Sequence, residues 1–153
     1  GYAEIILADG LAVGAYMAVN ACGEIYDQDK ILAGALADDD RTIISSHRLM
    51  LEGYERNMGG NTSIGCIITN ADLTKTECRM VSTMAHDGLA RSIRPVHTSM
   101  DGDTLFTMAS GEVKTTIDTV GYLAEEAVRL AVLDAAASAE GMGGRPAYRD
   151  IIK

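Results

Sequence analysis

The sequence predicts a mixed α/β fold in which sheets are covered by helices. Residues 62–69 are rich in β-branched side chains and apolar on both faces, which is typical of a strand inside a layered sheet. Residues 78–94 and 113–135 repeat apolar side chains at helical spacing. Strands interleaved with amphipathic helices favour layers of sheet and helix. The 153 residues amount to about one domain.

The first third of the sequence predicts a buried hairpin and a short helix. Residues 11–19 form an apolar run, residues 20–23 resemble a turn, and residues 24–26 would be the returning strand. The polar, acidic residues 27–40 indicate a surface loop. Residues 41–54 follow a helical period only loosely and predict a short helix, after which Gly59, Gly60 and Asn61 form a turn.

The remainder predicts a strand from Thr62, two helices and one further strand. Thr74 and Glu77 have the spacing of a capping box, so a helix should begin there and end before Pro95. Residues 101–103 indicate a turn, and residues 104–109 a strand ending at Gly111. A helix of about six turns should follow, ended by the glycines at 141, 143 and 144.

Composition argues against several classes of partner. With 47% apolar and 23% charged residues, no stretch has the roughly 18 uncharged apolar residues of a membrane span, so a soluble chain is expected. The net charge of −9 and the scattered 13 Lys and Arg make nucleic acid an unlikely partner. Three cysteines (Cys22, Cys66, Cys78) show no metal-binding spacing and favour a reducing compartment, so the expected location is cytoplasmic. Neither cofactor nor metal is expected.

Local pattern alone makes Thr62 an ordinary residue. A threonine that begins a buried strand after a Gly-rich turn is commonplace. Its hydroxyl and an accessible Asn61–Thr62 peptide bond would suit an N-terminal nucleophile, but the structural alternative is favoured on these residues alone. Cys66, inside the same strand, is expected to be a small core residue.

Three motifs alter this assessment: GNTSIG at 60–65, MAHDGLARSIRPVHT at 84–98 and DGDTLF at 101–106. Together they resemble the self-processing aminopeptidase family, which includes DmpA-like L-aminopeptidase/D-amidases, β-aminopeptidases and nylon-oligomer hydrolases. The likeness runs from about residue 11 to the end, in order and with similar spacing. It implies an α/β fold of four layers, an αββα sandwich of the N-terminal-nucleophile type.

The resemblance implies that the precursor cuts itself between Asn61 and Thr62. Residues 1–153 would be a single, partial domain that separates into 1–61, the end of an α chain, and 62–153, the β chain. Thr62 would then be both nucleophile and base, because a free α-amino group has a pKa of about 8 and can accept the hydroxyl proton near neutral pH. Such proteins assemble as homo-oligomers of αβ units and act on small peptide or amide substrates.

Three more residues acquire expected roles through the resemblance. Asp101 and Asp103 match positions where nylon-oligomer hydrolases also carry two aspartates, so this chain is placed nearest that branch. They could orient the Thr62 hydroxyl or hold its amino group; the alternative is a solvated Asp-Gly turn. Asn20 resembles the asparagine whose amide stabilises the tetrahedral oxyanion, with a turn asparagine as an equally open alternative.

Other features limit or compete with this hypothesis. His86 and His97 are expected to have structural roles, because the amino group already supplies the base. The family's assisting lysine or tyrosine would lie before Asn20, so we expect the sequence to lack an upstream segment. Two alternatives stay open: a catalytically incomplete fragment or remnant of the family, and an acyltransferase resembling ornithine acetyltransferase, against which the motif at 84–98 argues.

Overall fold

In the computed structural model, residues 1–53 and 60–151 are described. A four-stranded sheet, ordered β1-β2-β5-β7, is the centre of the fold. The β1 to β2 and β2 to β5 pairs are antiparallel, and the β5 to β7 pair is parallel. A smaller sheet has the order β4-β3-β6. The elements in chain order are β1 Tyr2–Ile6, β2 Ala12–Ala18, β3 Glu24–Asp27, β4 Lys30–Ala33, α1 Ser46–Leu51, β5 Ile64–Ala71, α2 Lys75–Ser92, β6 Ile93–Arg94, β7 Thr104–Val113, α3 Ile117–Ser138 and α4 Tyr148–Ile151.

Two long helices cover one face of the large sheet. Helix α3 packs on β1 and β2, α2 packs on β7, and the two helices pack on each other. Helix α2 begins as predicted, since Thr74 and Glu77 form a reciprocal capping box. The buried core lies between this helix layer and the sheet, and includes Leu11, Val13, Ile67, Val81, Leu89, Val128 and Val132. The sequence patterns of both helices are confirmed.

The predicted hairpin between residues 11–19 and 24–26 is wrong. Both strands exist, but β2 pairs with β1 and β5, whereas β3 pairs with β4 and β6 in the other sheet. A Cβ added at Gly23 would lie only 2.3 Å from the backbone carbon of Arg94 and 2.2 Å from the Pro95 carbonyl oxygen. Gly23 thus packs against Arg94 of β6 and Pro95 just after it, where the chain enters the smaller sheet, and no local pattern encodes this contact.

Other boundaries differ from the sequence prediction. Strand β4 lies inside the predicted surface loop, and β1 and α4 were not predicted. Strand β7 continues through Gly111, which has a φ of 83° and therefore suits glycine. The short helix is confirmed as α1, but Tyr54, its predicted end, and Gly59 of the predicted turn lie outside the described residues.

The face of the large sheet opposite the helices is apolar and exposed in the described chain. Side chains alternate along β5, so Gly65 and Ile67 are buried under the helices while Ile64 and Ile68 face outward. Phe106 of β7 is 59% exposed on the outward face. Cys66 also lies on this side and is half-buried, so the expectation of a core cysteine is wrong. In the described residues, no helix is long and apolar enough to cross a membrane.

Candidate active site

The start of β5 lies beside the start of β7, and this pairing builds the candidate site. Because these strands are parallel, the residues that precede them lie next to one another. A parallel bridge joins Asn61 to Asp101, and the Gly102 N–H donates a 2.9 Å hydrogen bond to the Asn61 carbonyl oxygen. Two motifs that are about 40 residues apart in the sequence are thereby brought into contact.

Thr62 is half-buried at this junction. Its hydroxyl donates a 2.7 Å hydrogen bond to the carbonyl oxygen of Asn61, the residue before it. Its backbone N–H donates to the carbonyl oxygen of Asn20 at 3.1 Å. The peptide bond between Asn61 and Thr62 is thus held from both sides, with the hydroxyl next to its carbonyl group.

Gly102 approaches the Thr62 side chain more closely than any other residue type could. A Cβ added to Gly102 would lie 2.7 Å from the Thr62 hydroxyl oxygen, and its other nearest atoms would also belong to Thr62. This distance is shorter than ordinary contacts allow. The sequence predicts only a turn at Gly102. Its position between the two candidate aspartates is the one sequence signal that it lies at the site.

Asp103 supports the backbone behind Thr62. Its Oδ1 accepts a 2.9 Å hydrogen bond from the N–H of Ser63, and its side chain is only 5% exposed. The Ser63 hydroxyl is itself buried and has no hydrogen-bond partner in the described part of the chain. Asp103 therefore contacts the peptide group next to Thr62, and no described hydrogen bond joins its carboxylate to the Thr62 hydroxyl.

His97 and His86 lie behind Asp103. The Nδ1 atom of His97 is 3.1 Å from Oδ2 of Asp103, but no aligned hydrogen bond joins them, and Oδ2 receives none from a described residue. The two imidazole rings are 5.0 Å apart between centroids. Burial, followed by the nearby His97, lowers the pKa of His86 from its ordinary value. The sequence analysis did not predict the contact between His97 and Asp103.

Asp101 caps the loop before β7. Its Oδ2 accepts hydrogen bonds from the backbone N–H and the hydroxyl of Thr98, at 2.8 and 2.7 Å. The loop closes with a further bond from the Asp101 N–H to the Thr98 carbonyl oxygen. Asp101 thus fixes the loop that carries Gly102, and among the described contacts its carboxylate makes none with Thr62.

Asn20 is brought to the site by its backbone. It follows β2, whose antiparallel pairing with β5 places residue 20 beside Thr62. Its carbonyl oxygen accepts the Thr62 N–H, while its exposed side-chain amide makes no hydrogen bond within residues 1–53 and 60–151. All five predicted site residues (Asn20, Asn61, Thr62, Asp101, Asp103) therefore lie in one region, although only some contact Thr62 directly. No group of three or more potential metal ligands occurs in the described chain.

The comparisons with known proteins agree on one family. The model of peptidase family S58 matches residues 2–149. An uncharacterized aminopeptidase of Mycobacterium leprae is 34% identical over 169 residues, which cover 97% of this chain and 46% of the relative. An uncharacterized aminopeptidase of Mycobacterium tuberculosis is 34% identical over 175 residues, which cover 99% of this chain and 51% of the relative. A 6-aminohexanoate-oligomer endohydrolase of Paenarthrobacter ureafaciens is 41% identical over 54 residues, which cover 35% of this chain and 15% of the relative.

Solved structures share the fold. An L-aminopeptidase D-Ala-esterase/amidase of Ochrobactrum anthropi, described as a variant of the Ntn-hydrolase fold, aligns with a TM-score of 0.62 at 17% identity. The alignment covers 95% of this chain and 41% of that one. A Burkholderia β-aminopeptidase aligns with a TM-score of 0.59 at 18% identity, covering 96% and 44%. The layered α/β fold predicted from the sequence is confirmed. The chain spans about half the length of the curated aminopeptidases it matches.

Proposed function

Because the chain belongs to peptidase family S58, we propose that it is part of a self-processing amidohydrolase with Thr62 as its N-terminal nucleophile. The observation that carries the proposal is the 2.7 Å hydrogen bond from the Thr62 hydroxyl to the Asn61 carbonyl oxygen. A hydroxyl held against the carbonyl group of the preceding residue is one short movement away from attacking its carbon.

Self-cleavage follows from ordinary acyl chemistry. The Thr62 hydroxyl oxygen bonds to the Asn61 carbonyl carbon, and the carbonyl oxygen takes the negative charge. The C–N bond then breaks, and the Thr62 nitrogen takes up the proton that the hydroxyl gave away. Water hydrolyses the resulting ester, which leaves a carboxylate on Asn61 and both a hydroxyl and an amine on Thr62.

The same atoms would then act on a substrate. The amine of Thr62 accepts the proton of its own hydroxyl, the hydroxyl oxygen attacks a substrate amide, and water hydrolyses the acyl-enzyme. We propose short peptides, β-peptides or aminohexanoate-like oligomers as substrates. Support comes from the aminopeptidases and the 6-aminohexanoate-oligomer endohydrolase to which the chain is similar.

Mass spectrometry of the protein expressed from its complete reading frame tests the proposal. We expect one chain to end at Asn61 and another to begin at Thr62, and we expect Thr62→Ala to stay uncut. Thr62→Ser, which keeps the hydroxyl, is the matched control and should still be cut. An uncut wild-type protein, or a cut Thr62→Ala protein, would refute the mechanism.

Two further parts of the proposal concern assembly and location. We propose a homo-oligomer of αβ units, to be tested by light scattering of the processed protein. We also propose a cytoplasmic location, because Cys66 and Cys78 are thiols rather than disulfides and such cysteines suit a reducing compartment. Cell fractionation tests this: recovery outside the cytoplasmic fraction would refute it.

A further inference from the structure

The carbonyl oxygen of Asn61 accepts two hydrogen bonds, one from the Thr62 hydroxyl at 2.7 Å and one from the Gly102 N–H at 2.9 Å. During attack the first donor becomes the nucleophile and gives up its proton, so of these two described donors the second is the one that can hold the charge that develops on the oxygen. We infer that the Gly102 N–H is the oxyanion donor for self-cleavage, an inference that rests on the proposed function.

The position of this donor is fixed before the reaction. Gly102 lies just before β7, beside Asn61. The bridge between Asn61 and Asp101 sets the distance between these two segments. The Asp101 carboxylate closes the preceding turn on Thr98. A donor that is already in place when charge appears stabilises the transition state without reorganisation.

Asn20, which the sequence analysis assigned to this role, contacts the site differently. Its backbone carbonyl accepts the Thr62 N–H, and its side-chain amide makes no hydrogen bond to a described residue. In the uncut chain, therefore, the described backbone donor to the Asn61 oxygen is Gly102, which lies just before β7.

The absence of a side chain at residue 102 serves the same purpose. A Cβ there would lie 2.7 Å from the Thr62 hydroxyl oxygen and 3.6 and 3.7 Å from two other Thr62 atoms. The N–H can approach the scissile carbonyl group only if the nucleophile also fits beside the Cα atom. Glycine satisfies both requirements.

The donor is then available for substrate. Self-cleavage passes through an ester on the Thr62 hydroxyl, and substrate hydrolysis passes through an ester on the same atom. The carbonyl group of either ester is attached to the same oxygen, so the substrate ester can reach the space that the Asn61 carbonyl group occupied. Once the Asn61 carboxylate departs, the Gly102 N–H loses its partner and can bind the acyl oxygen of a substrate.

Replacing the residue-102 amide by an ester tests the donor without adding bulk. Glycolic acid incorporated at position 102 exchanges the N–H for an oxygen. In the full-length protein we expect self-cleavage to slow by about 100- to 1,000-fold, as for loss of one oxyanion donor. If the α and β chains are expressed separately, so that Thr62 is N-terminal from the start, kcat should fall by a similar factor with little change in KM.

The alanine variant tests the steric requirement. Gly102→Ala keeps the N–H but displaces the hydroxyl, and we expect self-cleavage to slow by about 100-fold. Gly14→Ala, in β2 and away from the scissile bond, is the matched control, because its Cβ would make only ordinary contacts, the nearest at 3.5 Å to the Ala3 carbonyl oxygen. It should be cut at the wild-type rate. In a Thr62→Ala background, Gly102→Ala should lower the melting temperature less than it does beside Thr62.

The outcomes separate this inference from the proposed function. A wild-type protein that stays uncut refutes self-cleavage itself. A wild-type protein that is cut, together with an ester variant cut at the same rate, refutes only the role of the Gly102 N–H. If the ester variant does not fold, amide hydrogen exchange in uncut Thr62→Ala decides: slow exchange at Gly102 supports the bond, and exchange at the rate of an exposed amide overturns it.

Discussion

Asp103 offers the sharpest test of how the fold supports the candidate nucleophile. Its Oδ1 accepts the Ser63 N–H at 2.9 Å, and the side chain is 5% exposed. Asp103→Ala leaves that N–H without an acceptor in a region from which water is largely excluded. Stranding a buried donor costs about 1–3 kcal/mol, so we expect the free energy of unfolding to fall by that amount.

Asp103→Asn distinguishes the hydrogen bond from the charge. The amide oxygen of asparagine can still accept the Ser63 N–H, and the substitution removes a buried carboxylate oxygen that receives no hydrogen bond from a described residue. Losing the charge weakens the bond to Ser63 and removes the carboxylate oxygen that faces His97 Nδ1 at 3.1 Å, but it also removes the cost of burying Oδ2. We therefore expect the free energy of unfolding to change by less than about 1 kcal/mol.

Urea denaturation in a Thr62→Ala background measures these effects without interference from cleavage. Glu112→Ala, which removes an exposed carboxylate from β7, the strand that follows Asp103, is the control and should be nearly neutral. Equal losses in the two Asp103 variants would show that the charge matters, and an unchanged Asp103→Ala protein would show that the bond to Ser63 is not needed. Either result would refute the reasoning.

The remaining predictions concern helices α2 and α3 and pH. Gly88→Ala should destabilise the fold by roughly 1–3 kcal/mol, because its Cβ would lie 2.2 Å from the Glu125 carbonyl oxygen. The Cβ of Gly121→Ala would meet the Met84 side chain, most closely at its flexible end and at 3.3 Å from its Cβ, so this variant should cost less than Gly88→Ala in a urea titration. Thr74→Ala removes the capping box and should cost about 1 kcal/mol by the same assay; an unchanged midpoint would contradict it. Since burial lowers the pKa of His86, the unfolded chain binds more protons below about pH 6.5, so stability should fall from pH 7 to 5, and less so in His86→Gln.

The two long helices, α2 and α3, were predicted well because a capping box and an apolar repeat are formed by residues close together in the sequence. Thr74 and Glu77 form the capping box that their spacing indicates, and the apolar repeat of α3 faces the core. Strand pairing was not predictable in the same way. The partner of β3 depends on contact between Gly23 and the chain near Arg94, about 70 residues away in the sequence. Nothing in residues 20–23 distinguishes a tight turn from a crossing between two sheets.

The residues of the candidate site also differ in how far the sequence predicts them. Thr62 and the two aspartates could be selected only through the order of three motifs, since each has an ordinary structural alternative. For Gly102 the sequence offers only its position between the two aspartates, because its contacts with Asn61 and Thr62 depend on how β5 and β7 pair. His97 was expected to be structural, and its position beside Asp103 is compatible with that expectation.

The alternation of side chains explains why the proposed nucleophile, Thr62, and the carboxylate of Asp103 occupy different surroundings. In extended backbone Thr62 and Ser63 point to opposite sides, as do Gly102 and Asp103. Thr62 therefore faces Gly102 at the edge of the exposed apolar face, while Ser63 is fully buried and Asp103 nearly so.

A charge placed beside the Thr62 hydroxyl would disturb the attack on the Asn61 carbonyl carbon, because it would repel the developing oxyanion. Asp103 instead accepts the Ser63 N–H, so the carboxylate fixes the backbone next to the proposed nucleophile, Thr62. The Gly102 N–H remains the nearest described dipole on the Asn61 oxygen apart from the nucleophile. If Asp103 positions Thr62 in this way, Asp103→Ala should slow self-cleavage, and mass spectrometry of the full-length protein over time measures the rate.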